Sequence, residues 1–345
     1  MGVDVTAPRV AVAGATGAVG REMLRTLRER DFPVGELIAL ASSRSAGKRL
    51  AFAGEEIDVR PLDGFDWEGV DVALFSAGAV ASRKHAPRAA DAGTVVVDNS
   101  SAWRMEPTVP LVIPEINAHA LDGHRGIVAN PNCTAIVALM AAAPLHRAAS
   151  LTSMVISSYQ SVSGAGHKGV SELLEQVEKV RGDEESLAAP DADVLPRGEV
   201  FGPPIAYNVI PRAGTFEEDG FTSEERKLGD ESRKILELPE LPVVGTVVRV
   251  PVVAGHAVSL YATFQRELTP EAARNALASF PGVRVVDDPA SDRFPTPLDA
   301  AGIDDVLVGR IRPAGENALA LFAVGDNLRK GAALNAVQIA ERLLA

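Results

Sequence analysis

At 345 residues, with 46% hydrophobic and 23% charged residues, the chain has a globular composition and the length of two domains rather than one. A formal net charge of -12 excludes a protein that coats nucleic acid, because phosphate-backbone binding needs a concentrated basic surface. The longest apolar run, 135–145, is too short to span a bilayer, so no membrane partner is expected.

The opening MGVDVT fits the loose N-myristoylation pattern at Gly2 and Thr6, yet no basic patch follows to supply a second membrane signal. No secretory signal precedes the first apolar stretch, and a single cysteine makes neither a disulfide nor a zinc cluster, which fits a reducing cytoplasm. From Arg9 onward, short β-branched runs alternate with helical periodicity. RVAVAG reads as a strand, 18–30 as a helix, ELIALAS as a strand, 70–76 as a strand, 81–92 as a helix and 94–100 as a strand. Such alternation builds βαβ units and predicts an α/β fold with a Rossmann-type, doubly wound parallel sheet.

GATGAVG joins the first strand to the first helix. The glycines of this turn permit a tight bend and let helix amides approach a pyrophosphate, whose charge the helix N-terminus favours. An NAD-binding chain places Asp or Glu at the end of the second strand, on the ribose diol. Here that place holds Ser42, Ser43, Arg44 and Ser45, whose hydroxyls and guanidinium suit a 2′-phosphate, so NADP is the expected cofactor.

LVIPEIN and GIVANPNC lead into an alanine-rich helix predicted over 134–143. Cys133 stands at its start, where the helix dipole favours a thiolate; a small buried hydrophobe is the other reading of a lone cysteine. Past Leu151 the texture changes to longer alternating strands, SMVISSYQSVSG, TVVRVPVV, HAVSLYATFQ, VLVGRIRPAG and NALALFAVGDN, which predict a mixed or antiparallel sheet. The stretch 181–211, rich in Pro, Gly, Asp and Glu, reads as a surface excursion. GAALNAVQIAERLLA closes the chain as an amphipathic helix able to pack back on the first domain. Arg249 and His256 reach one cleft only if the chain bends at Ala254 and Gly255, and the remaining histidines lack metal-ligand spacing, so no metal is expected.

GATGAVG, SSRSAGK, NSSAWR, NPNCTA, SYQSVSGAG, EERK, RVPVVAGH and DNLRKGAALNAVQIAE occur here in the order found in bacterial aspartate-semialdehyde dehydrogenases, and the resemblance spans nearly the whole chain. It implies an NADP-binding Rossmann domain over 1–132, completed by a C-terminal helix at 329–345, and an α+β catalytic and dimerisation domain with a mixed sheet over 133–328. It also implies reversible NADP-dependent conversion of aspartate semialdehyde and phosphate into β-aspartyl phosphate. The family runs this reductively towards lysine, diaminopimelate, threonine and methionine, as dimers sometimes paired into tetramers.

By the same resemblance Cys133 is the nucleophile, His256 the general acid/base, and Gln160 the residue that orients substrate and thioester. Glu224 and Arg249 grip the substrate's amino and carboxylate groups, while Arg104, Asn132 and Lys227 hold phosphate. Gly14, Thr16 to Val19, Arg44, Ser45, Ser163, Gly164 and Asn327 match cofactor-contacting positions. Two positions depart from the family: Val247 stands where a cysteine is frequent, and Arg226 where an aromatic or aliphatic residue is. The nearest rival, N-acetyl-γ-glutamyl-phosphate reductase, usually has glycine in place of Asn132, and a silent NADPH-binding protein would have no need of Cys133, Gln160, Arg249 and His256 together.

Overall fold

A computed structural model describes residues 7–188 and 195–344. Gly2 and Thr6 of the myristoylation pattern, 189–194 of the excursion and Ala345 of the closing helix lie outside the described residues. The chain divides into two compact units: the first runs to Ala143 and adds Asp230–Glu240 and everything from Leu328, and the second comprises Pro144–Gly229 and Leu241–Asn327. The division falls after Ala143, within the single helix Cys133–Ala149.

The first unit contains β1 (Arg9–Ala13), β2 (Glu36–Ala41), β3 (Arg49–Phe52), β4 (Glu55–Pro61), β5 (Val72–Phe75), β6 (Val95–Asp98) and β7 (Ile127–Ala129), in the sheet order β3-β4-β2-β1-β5-β6-β7. Neighbours are parallel except the β3–β4 hairpin, whose turn residues Ala53 and Gly54 both have positive φ, 50° and 86°. Central strands buried on both faces explain the unbroken apolar runs: Val10 to Ala13 and Val72 to Phe75 are all buried. Helices α1 (Ala18–Glu29), α2 (Ala79–Asp91) and the short α3 (Pro114–Asn117) belong to this unit, and α4 (Cys133–Ala149) begins in it. Met23 and Leu27 of α1 join Val12, Val97 and Ile339 in one core. Each such aliphatic burial contributes about 1.5–3 kcal/mol.

The second unit is built on β8 (Leu151–Gln160), β9 (Val243–Arg249), β10 (His256–Phe264), β11 (Val283–Val285), β12 (Val306–Pro313) and β13 (Ala318–Gly325), ordered β11-β12-β13-β10-β8-β9. The sheet is mixed: β8–β9 and β11–β12 are parallel, the other pairs antiparallel. Helices α5 (His167–Lys179), α7 (Pro270–Ala278) and α8 (Pro297–Ala300) belong to this unit, α6 (Ser223–Leu236) begins in it and ends in the first, and α9 (Leu334–Leu344), after a π-helical turn at Arg329–Ala333, belongs to the first unit.

Residues 181–185 are exposed as expected, but from Leu195 onward the segment is not a loose surface excursion. Phe201, Ile205 and Ile210 are buried with Val162 and Leu173. The Glu172 carboxylate accepts the N–H groups of Val200 and Phe201, and Gln176 Oε1 accepts those of Ile205 and Ala206. Two polar side chains on one face of α5 thus take up backbone donors that a turn-rich segment cannot pair internally.

Candidate active site

In the first unit the glycine turn is set by close approach. Gly14 has φ +89° and a Cβ there would lie 2.3 Å from the Ser76 carbonyl oxygen, while a Cβ at Gly20 would lie 2.2 Å from the Gly14 carbonyl oxygen. Only glycine lets β1 turn so tightly into α1. Gly17 caps α1 without a side-chain bond and no acid stands in the first turn, so the amides at Ala18 and Val19 meet neither a cap nor a repelling charge. After β2, Ser42, Ser43 and Arg44 are exposed and Ser45 half-buried on a short 3-10 turn, with no carboxylate among them. These residues fit a dinucleotide bearing a 2′-phosphate.

Cys133 is half-buried and is the first helical residue of α4, one step from where the sequence placed the helix start. Asn132 caps that helix: its Oδ1 accepts from the amides of Thr134, at 2.9 Å, and Ala135, at 3.3 Å. The Asn132 amide itself donates to Glu231 Oε2 at 2.6 Å. Arg104 is buried beside it. Its Nε donates to Asn130 O at 2.9 Å, Nη2 to Asn99 O at 2.9 Å and Nη1 to Glu231 Oε1 at 3.1 Å. One N–H on each terminal nitrogen remains for an anion. Lys234 Nζ donates to the carbonyls of Arg104, Glu106 and Val109, which pins the loop bearing that arginine.

Glu231 was absent from the sequence reading, although a signal existed. Leu228, Glu231, Ser232 and Ile235 of α6 are all buried, so the carboxylate occupies a core position of a helical stripe. A fully buried acid at such a position requires a partner cation or donors, and here it has both.

In the second unit one end of the sheet gathers residues far apart in sequence. Gln160 ends β8 directly opposite Arg249 at the end of the parallel β9, and His256 begins β10 opposite Gly325 of β13, two residues before Asn327. His256 Nδ1 accepts the Ser161 amide at 3.1 Å, so in the neutral ring the proton sits on Nε2, a buried nitrogen with no hydrogen-bond partner among the described residues. Burial, and secondarily the Arg249 charge, push the imidazole well below the usual histidine range and keep it neutral near pH 7. Asn327 Oδ1 accepts from the Gly255 amide at 3.0 Å and from the Ser161 and Ser163 hydroxyls. Asn327 and Ser163 are therefore bound into the support of His256. The bend expected at Ala254 and Gly255 is present, Gly255 having φ +86°.

Gly164 is exposed, and a Cβ there would lie 2.9 Å from Arg249 Nη1 and 3.1 Å from His256 Nε2. Arg249 and His256 thus border one small space that this glycine leaves open. Gln160 is buried, its amide nitrogen 3.5 Å from the Ser158 hydroxyl. At the start of α6, Thr222 and Glu225 form a reciprocal capping box, and Glu225 also accepts the Val247 amide of β9. That docks the helix turn carrying Glu224 and Lys227, which form an ion pair with each other. Val247 is buried within β9, and Arg226 pairs with Glu217 and Asp219 over the Phe221 ring.

Among the described residues no helix is long and apolar enough to cross a membrane. Residues 9–124 match the family model described as semialdehyde dehydrogenase, NAD binding domain, and residues 142–330 the one described as semialdehyde dehydrogenase, dimerisation domain. Aspartate-semialdehyde dehydrogenase of Streptomyces akiyoshiensis is 49% identical over 343 residues, covering 98% of each chain. That of Aquifex aeolicus is 45% identical over 341 residues, covering 97% of this chain and 98% of the other. The solved aspartate semialdehyde dehydrogenase II of Vibrio cholerae, complexed with ASA, superposes with a TM-score of 0.91 at 42% identity over 98% of both chains. With relatives this similar over nearly its whole length, the chain belongs to the aspartate-semialdehyde dehydrogenase family.

Proposed function

We propose that the protein catalyses the reversible, NADP-dependent conversion of aspartate semialdehyde and phosphate into β-aspartyl phosphate, run reductively in the cytoplasm towards lysine, diaminopimelate, threonine and methionine. The observation that carries this reading is Cys133 at the first turn of α4, in a chain 42% identical to the Vibrio cholerae enzyme solved with ASA. The helix dipole favours the thiolate there.

In the oxidative direction the Cys133 thiolate bonds to the aldehyde carbon and the carbonyl electron pair moves to oxygen. His256, the general acid/base, presents Nε2–H to that oxygen as charge develops. Bound NADP supplies the acceptor for the hydride that leaves the carbon. Gln160 orients the resulting thioester, and Arg249 and Glu224 hold the substrate carboxylate and amino groups. Phosphate, held by Arg104, Asn132 and Lys227, attacks the thioester carbon; the C–S bond breaks and Cys133 departs as thiolate. Gly14, Thr16, Gly17, Ala18, Val19, Arg44 and Ser45, with Ser163, Gly164 and Asn327, form the cofactor's surroundings in this reading.

The exposed face of the second sheet supports a homodimer, with pairing into tetramers as its extension. Val244, Val155, Tyr261 and Ala320 lie in one row across β9, β8, β10 and β13, next to Phe322 and Tyr159, within the segment that matches the dimerisation domain. The decisive assay is phosphate-dependent NADPH formation from aspartate semialdehyde. Cys133→Ser is expected to lose about a thousandfold or more of the turnover while still binding NADP. Signal only with the N-acetylglutamate semialdehyde homologue would replace this reading with the rival reductase, and full turnover in the serine variant would remove Cys133 from it.

A further inference from the structure

Building on the reading of Arg249 as the substrate-carboxylate ligand, we propose that Phe201 is a positioning residue that fixes the Arg249 guanidinium and thereby sets selectivity for aldehydes bearing an amino-acid carboxylate. The guanidinium carbon of Arg249 lies 5.6 Å from the centre of the Phe201 ring, within the range of cation–π attraction. Arg249 Nη1 also donates to the Ser161 carbonyl at 2.7 Å. Ring and carbonyl together restrict a side chain that otherwise has many rotamers, and a guanidinium already oriented loses less entropy when it meets a planar carboxylate.

The segment carrying Phe201 is fastened to the residue it serves. Ile210 and Arg249 exchange both backbone hydrogen bonds, at 2.9 and 2.8 Å, so the segment ends on the backbone of Arg249 itself. Arg212 Nη2 donates to the Phe201 carbonyl at 3.1 Å, and the Phe201 amide is held by Glu172. Gly169 leaves room for the ring, since a Cβ there would lie 3.0 Å from Phe201 Cζ. Among the buried members of this small core, Val162, Leu173, Val180, Leu195, Ile205, Ala206 and Ile210 are aliphatic, and the single aromatic ring is the one set against the cation.

The test is steady-state kinetics on the full-length protein with Phe201→Leu, Phe201→Met, Phe201→Trp and Arg249→Ala, using aspartate semialdehyde and 3-aminopropanal, the same aldehyde without its carboxylate. Phe201→Leu and Phe201→Met are expected to raise KM for aspartate semialdehyde about tenfold, in keeping with loss of a desolvated cation–π contact. Values of KM for phosphate and NADP, and kcat/KM for 3-aminopropanal, stay unchanged, and Phe201→Trp restores the preference. A parallel rise in every KM with a lower melting temperature makes Phe201 a core residue only and overturns the proposal. So does an unchanged preference in both aliphatic variants when Arg249→Ala abolishes it. If Arg249→Ala itself keeps the preference, the underlying assignment of Arg249 fails instead.

Discussion

Glu231 Oε2 accepts the backbone N–H of Asn132 at 2.6 Å, one residue before the nucleophilic cysteine of the proposed reaction, and the same carboxylate binds Arg104 through its other oxygen. A fully buried acid therefore ties Arg104, the arginine of the proposed phosphate site, to the helix start that bears the thiol. Removing one partner of a buried pair costs about 3–5 kcal/mol, because the other charge is left without compensation. Glu231→Ala is expected to lower the melting temperature on that scale and to raise KM for phosphate more than KM for NADP. Calorimetry with phosphate-dependent kinetics checks both, and an unchanged phosphate KM in a folded variant would disconnect Glu231 from the anion site.

The pH dependence of stability follows from His256. Its folded-state value is depressed by burial and by Arg249, so below its unfolded value of about 6.5 the unfolded chain takes up a proton that the native protein refuses. This contribution is fully present above about pH 6.5 and is lost as pH falls towards the depressed native value. His85 and His146, also lowered chiefly by burial, act with the same sign. The melting temperature is expected to fall by several degrees between pH 7 and 5.5, with a shallower slope in His256→Gln. A slope identical in the variant and the parent would show that His256 carries none of it.

Gly164 offers a test of the space between Arg249 and His256. An alanine methyl would lie 2.9 Å from Arg249 Nη1 and 3.1 Å from His256 Nε2, contacts closer than carbon tolerates, while Gly164 itself is exposed. Displacing two polar groups by about an ångström can cost about a hundredfold in rate. Gly164→Ala is expected to lose about that much kcat/KM for aspartate semialdehyde with little change in melting temperature, which separates a blocked site from a damaged core. Retention of full activity would mean that neither side chain has to stay where it is.

Legibility in the sequence tracked burial. The central strands of the first unit are read directly because both faces are covered and every residue is apolar, as at Val72 to Phe75. The β3–β4 hairpin escaped because its residues are mostly exposed, with only Leu50 and Val59 buried; its one local signal is Ala53–Gly54, a turn that needs two positive φ values. Helices α5 and α6 escaped behind dense charge, although the Thr222–Glu225 capping box marks the start of α6 in plain view. The residues around His256 were legible only through motif resemblance. Their convergence depends on strand register, Gln160 against Arg249 and His256 against Gly325, and no local periodicity encodes which strands will pair.

The second sheet leaves an apolar row of side chains exposed on one face. Along β8 the side chains alternate, with Met154 and Ile156 buried and Val155 and Tyr159 exposed, and the register places Val155 between Val244 and Tyr261. Apolar side chains contiguous across adjacent strands are costly to leave in water and are the usual composition of a subunit interface. A charge at the centre of that row opposes burial far more than it disturbs the monomer, since Val155 points away from its own core. Val155→Asp and Tyr261→Lys are each expected to shift the protein from dimer to monomer by sedimentation equilibrium. A two-fold axis brings each substituted position onto the same surface of the partner, so each substitution enters the interface twice and its effect is doubled. If both variants keep the parent mass, association uses a different surface and the row must be covered in some other way.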